Sequence, residues 1–167
     1  MARIKSLAVS ELYSIYIIVS LTACNPDANH SHKTTHTMFT IDQIQAAHSK
    51  VKSGADFPAY VQDLIQLGVS GYETYVSDGH TVYYGKNPFS IRSGAKYEAL
   101  LIAGQSNKAQ FLKDLNAHQQ GKTSFPVFCN DCAKSGIEKW IVDMNKMTCT
   151  YYDKAGEEML VETIPMP

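Results

Sequence analysis

Phe57-Pro58-Ala59-Tyr60 opens a stretch that runs through Gly68-Val69 to Tyr83-Tyr84. Another begins 68 residues later at Phe125-Pro126-Val127-Phe128 and runs through Gly136-Ile137 to Tyr151-Tyr152. The same offset carries Asp63 to Asp131 and Tyr72 to Trp140 without a gap. Upstream, Ile44 falls on Leu112 and Ala47 on Leu115. Agreement of this kind over about thirty positions, rare residue types included, reads as an internal repeat.

Each unit reads helix, helix, strand, strand. In the first, Thr40 and Gln43 form a capping box, and Ile41, Ile44, Ala47 and Val51 line one helical face. Asp56 sits where a second helix would be capped, Pro58 falls in its first turn, and Gly68 stops it. Strands over residues 69–77 and 80–85 flank Asp78-Gly79, a two-residue hairpin turn. The second unit repeats the order: a helix from residue 106 to 118, a helix from 125 to 136, and strands at 137–144 and 148–153. A last strand follows over 158–164. The connector, residues 87–105, holds an apolar segment at 97–103 that is the candidate for an extra strand. The expected fold is α+β: one domain over residues 38–167, with units at about 40–86 and 106–154 in a two-fold ααββ repeat. Its antiparallel sheet carries the helices on one face.

Strand alternation assigns the faces. Tyr72, Thr74, Val76, Thr81 and Tyr83 share one side of the first hairpin, and Trp140, Val142, Met144, Cys149 and Tyr151 share the matching side of the second. The second set is core-like, so the helices belong there. The other side carries Glu73, Tyr75, His80, Tyr84, Lys139, Asp143, Thr150 and Tyr152. Tyrosines there act as ordinary strand formers, or as a docking surface of apolar rings with polar tips. Tyr75, Tyr84 and Tyr152 are the candidate binding residues on this face.

The remainder of the chain bounds the function. It has 167 residues, 15 basic and 16 acidic side chains, and a formal net charge of −1. That balance excludes nucleic-acid binding by phosphate neutralisation. At 44% apolar and 19% charged the chain is globular. Residues 1–24 begin with Arg3 and Lys5, continue through Ile15-Tyr16-Ile17-Ile18-Val19 and end Leu21-Thr22-Ala23-Cys24. This has the anatomy of a secretory signal. The final tetrapeptide resembles a bacterial lipobox, which implies lipidation at Cys24 and a place in the cell envelope. Glu11 opposes insertion of the apolar run. Residues 25–37 then read as a polar linker. The alternative is translation from Met38 and a cytoplasmic protein. A lipid on Cys24 is the one expected route to a membrane.

Two further runs hold candidate chemistry. Cys129-Asn130-Asp131-Cys132 invites a redox or zinc reading together with Cys149 and His118. The repeat argues against it, because Cys129, Cys132 and Cys149 fall on Val61, Leu64 and Thr81. Those are core positions, where a free thiol behaves as a small hydrophobe. No metal and no cofactor is assigned. His118-Gln119-Gln120-Gly121-Lys122 closes a helix and has no counterpart around Lys50. A histidine there is ordinarily a helix-dipole partner; as a site, the run would bring His118, Gln119 and Lys122 to one loop. The expected function is a non-enzymatic binding or interaction domain with a protein or small-molecule partner. The alternative is a small enzyme using His118 with Lys122 or Cys129.

From Met38 onward the chain resembles a known family. Phe57-Pro58 with Gly68-Val69, the run from His118 to Lys122, and Thr148-Cys149-Thr150-Tyr151-Tyr152-Asp153 look like the YbcV-like proteins, a domain of unknown function. Some of its members are labelled phage envelope proteins. The resemblance implies an α+β fold of this size and supplies no activity, substrate or catalytic residue.

Overall fold

A computed structural model describes residues 2–3, 38–51 and 56–165. Helices α1 (Ile41–His48) and α2 (Phe57–Leu67) precede strands β2 (Gly71–Tyr75), β3 (Thr81–Tyr84) and β4 (Ser90–Arg92). Helices α3 (Lys108–Gln119) and α4 (Phe125–Lys134) precede β5 (Ile137–Asp143), β6 (Thr148–Asp153) and β7 (Glu158–Thr163). The six strands form an antiparallel open sheet in the order β7-β6-β5-β2-β3-β4. A two-residue strand, β1 (Ala2–Arg3), lies parallel beside β7. The fold is therefore α+β.

The local signals account for most of the helix ends. The Thr40 hydroxyl accepts from the Gln43 backbone N–H at 3.2 Å while the Gln43 side chain accepts from the Thr40 N–H at 2.8 Å, closing the capping box. Helix α2 ends at Gly68, whose φ of 93° lets its N–H turn back to the Ile65 and Leu64 carbonyls. Helix α1 is shorter than its apolar pattern allows, ending at His48. The third helix starts at Lys108 with Asn107 as its cap, not at residue 106.

The ten strand residues assigned to the inner face are all buried. Helix side chains close over them: Phe111 lies 5.0 Å from Tyr151 and Phe128 lies 6.1 Å from Trp140, ring centre to ring centre. The two polar residues in the inner set satisfy each other, with the Thr74 and Thr81 hydroxyls 3.0 Å apart.

The connector departs from expectation. Residues 97–103 form no strand, and the added strand is β4, which pairs with β3 through Val82 and Arg92, Tyr83 and Ile91, and Tyr84 and Ser90. The segment is instead a loop held to the core at two points, with Leu101 between them left exposed. The Tyr97 hydroxyl donates to the Val76 carbonyl at 2.9 Å, and Ile102 is buried in the core. Two helix–hairpin halves meet along β2 and β5, where Glu73 stands opposite Ile141.

Candidate functional site

The run from His118 to Lys122 does not assemble into one site. His118 is wholly buried and stacks on Phe128, with ring centres 4.3 Å apart and planes 6° from parallel. Its Nδ1 lies 3.1 Å from both the carbonyl oxygen and the hydroxyl of Thr123. Nε2 is left buried with no partner among the described residues. Burial lowers the imidazole pKa, against the opposing effects of Thr123 and Asp131. Gln119 also points inward and donates to both oxygens of Glu162, at 3.0 and 3.1 Å. Burial raises the Glu162 carboxyl above its ordinary range, although Gln119 and Tyr151 bond to it. Lys122 is exposed. One turn of chain thus sends two side chains into the core and the third to solvent.

Cys129, Cys132 and Cys149 are free and buried. Burial pushes the Cys129 thiol up to about 11, despite the nearby Tyr97 and Lys96. It pushes Cys149 up to about 12. Among the described residues no hydrogen bond joins His118 to Cys129. None of their groups of histidine, cysteine and carboxylate side chains is arranged to hold a metal ion.

The open face of the sheet is organised differently. Glu73 is the hub. Lys139 Nζ donates to its Oε2 at 2.8 Å, Tyr75 Oη donates to the same oxygen at 2.9 Å, and Tyr84 Oη donates to Oε1 at 3.2 Å. The donors come from β2, β3 and β5, so residues 66 positions apart in the chain share one carboxylate. Partial burial would raise the Glu73 carboxyl, but the bonds from Lys139 and Tyr75 outweigh it and leave it lowered. The bond to Glu73 raises Lys139 in turn. Beside them His80 stacks on Tyr75, with ring centres 4.5 Å apart and planes 9° from parallel. Asp78 accepts from both the His80 backbone N–H and its Nδ1.

These contacts place the sequence candidates. Tyr75 and Tyr84 converge on Glu73. Tyr152 lies in the same cross-strand row, directly opposite Lys139, and its hydroxyl reaches Glu158 at 3.4 Å. Tyr75 has little ring face to offer, since His80 covers one part and Lys139 Nζ lies 5.5 Å from the ring centre. Tyr84 is the more accessible ring, 36% exposed. Sequence reasoning passed over Asp78 as a turn residue, although its position two before His80 suits a local side-chain bond. It also passed over Glu162, which falls in the inward phase of β7 opposite Cys149.

Two shallow hollows lie elsewhere. One of about 360 Å³ is lined by Gly104, Gln105, Ser106, Gly136, Asp153 and Lys154. The other, about 440 Å³, is lined by Gln43, Ala47, Lys50, Asp63, Gln66 and Leu67. Neither contains a sequence-predicted site residue. Cys24 lies outside the described residues, and among those described no helix is long and apolar enough to cross a membrane.

The fold and its surface define an α+β open-sheet domain with a bonded polar and aromatic cluster on the uncovered face. The family model described as a protein of unknown function, DUF1398, matches residues 45–163, and the chain belongs to that family. No curated protein matches it.

Proposed function

We propose that this is a non-enzymatic binding module that meets a protein or small-molecule partner through the open face of its sheet. The carrying observation is the convergence of Lys139, Tyr75 and Tyr84 on Glu73. Such a network holds its members in fixed orientations, which lowers the ordering cost of binding. It is also one-sided. At an offset of 68 residues, Glu73 corresponds to Ile141, Tyr75 to Asp143 and His80 to Thr148, so the other half has no such cluster. The repeat belongs to this reading. It is supported by the shared element order and by the pairing of Glu73 with Ile141, its own counterpart, at the seam. The enzyme reading has less support, because Lys122 is exposed while His118 is buried and bonded to Thr123.

Isotope-labelled full-length protein, screened by NMR against oligosaccharides and extended peptides, tests the reading. Binding should shift the amides of Glu73, Tyr84 and Lys139, and Tyr84→Ala should abolish it without unfolding the domain. Hits confined to other surfaces would refute it.

The address is a separate proposal with two forms. The lipobox-like Leu21-Thr22-Ala23-Cys24 supports an envelope lipoprotein. The three free core thiols support the alternative, a cytoplasmic protein starting at Met38, since thiols stay reduced there. Intact mass from the native host separates the forms. If Cys24 carries lipid, Cys24→Ser should move the protein from the membrane fraction to the soluble one.

A further inference from the structure

Cys129, Cys132 and Cys149 are 0%, 1% and 1% exposed. The positions 68 residues earlier are buried as deeply, with Val61 and Leu64 at 0% and Thr81 at 1%, and carry no thiol. Packing in this fold therefore does not require sulfur. Cys129 and Cys132 lie one turn apart on the inner side of α4, and Cys149 lies on the inner face of β6. Electrostatically, Cys132 feels both other thiols.

Disulfide geometry conflicts with this arrangement. Helix positions three apart place their Cβ atoms about 5–6 Å from each other. A disulfide draws them to roughly 3.5–4.5 Å. A Cys129–Cys132 bond would distort α4 where Phe128 packs on His118 and Trp140. A bond from α4 to Cys149 would tie the helix to β6 through a filled core, which yields little to any shift that the bond geometry demands.

We propose that these three thiols make the fold conditional on a reducing milieu: the closed core shields them, whereas oxidation of the unfolded chain blocks its return. In the unfolded chain one thiolate attacks the S–S bond of a disulfide oxidant such as glutathione disulfide. This forms a mixed disulfide and releases one glutathione thiolate. A second cysteine thiolate displaces the other glutathione. The two cysteines are oxidised, glutathione disulfide is reduced to two thiols, and the two cysteine protons pass to the released thiolates. The resulting intramolecular disulfide is incompatible with the packing of α4 on β5 and β6.

The test uses the full chain in a Cys24→Ser background, so that only the three core thiols report. Native protein should leave a colorimetric disulfide reagent unreacted on the timescale in which urea-unfolded protein reacts fully. Refolding from urea should succeed with dithiothreitol and lose most of its yield with glutathione disulfide, the lost fraction carrying an intramolecular disulfide by mass spectrometry. The variant Cys129→Val, Cys132→Leu, Cys149→Thr takes the residues found 68 positions earlier, and should refold equally well under both conditions. If that variant does not fold, the wild-type pair of refolding yields decides alone. Equal wild-type yields with and without oxidant, or rapid labelling of the native thiols, would overturn the proposal.

Discussion

His118 and Glu162 are buried ionisable groups whose titrations push stability in opposite directions. The folded-state pKa of His118 is lowered from 6.5, so its neutral form is the one the core accepts. Above pH 6.5 neither state takes the proton and the contribution to stability is complete. As pH falls below that value the unfolded chain protonates first and stability is lost, until the folded pKa is passed. His118→Phe should keep the stacking on Phe128 and flatten this acid dependence, read as the urea midpoint at pH 7.5 against pH 5.5. Glu162 behaves oppositely, because burial raises its pKa from 4.5. Its neutral form is accepted below that value, and stability is lost as pH rises through the folded pKa. Glu162→Gln should therefore stabilise the protein at pH 7 by about 1 kcal/mol, and by almost nothing at pH 4. Urea midpoints at pH 7 and pH 4 measure it.

At the scale of elements, the stops of α2 and α4 offer a comparison. Gly68 and Gly136 both follow a helix with positive φ, 93° and 78°. A side chain at Gly68 would meet nothing within 4 Å, whereas at Gly136 it would come within 2.8 Å of the Gln105 carbonyl oxygen and 2.9 Å of the Ser106 Cα. Gly68→Ala should cost about 1 kcal/mol, the conformational penalty alone. Gly136→Ala should cost clearly more, because the connector backbone must move away from α4; paired thermal melts decide it. On the sheet, Glu73→Gln should remove the main cause of the raised Lys139 pKa and bring it down. An NMR titration of the Lys139 ammonium reads this directly, and an unchanged value would mean that Glu73 does not hold it in solution.

At the scale of the molecule, the β2–β5 seam joins the two helix–hairpin halves into one sheet. Trp140 sits on that seam opposite Thr74, and its ring lies near Phe125, Phe128 and Tyr151. Trp140→Ala should cost roughly 3–5 kcal/mol, as for other large core aromatics. Because the two three-stranded halves share one hydrophobic core across the seam, unfolding should be a single transition, coincident by far-UV dichroism and by tyrosine fluorescence. Two separated transitions would mean that the halves are independent units.

Much of this was legible in the sequence because the signals are local. Helix periods, Thr40 with Gln43 and the stop at Gly68 each act within a few residues. The two-residue turn expected at Asp78-Gly79 is instead a four-residue loop over 76–79, because Thr74 pairs with Thr81 and Tyr75 bonds to His80. Strand alternation alone placed Tyr72, Trp140, Cys149 and Tyr151 in the core. These features determined the α+β class and the inner face of the sheet. The tertiary structure decided what depends on distant partners: that Lys139 reaches Glu73, that Gln119 turns inward to Glu162, and that His118 faces Phe128 instead of solvent. It also placed the extra strand at Ser90–Arg92, beside an open edge of β3, and left residues 97–103 as a loop that anchors to the core through Tyr97 and Ile102. Periodicity reports which face of an element is apolar, but not which segment lies across from it. That pairing is set by how the helices and hairpins fill one shared core, and the site on the open face is a consequence of it.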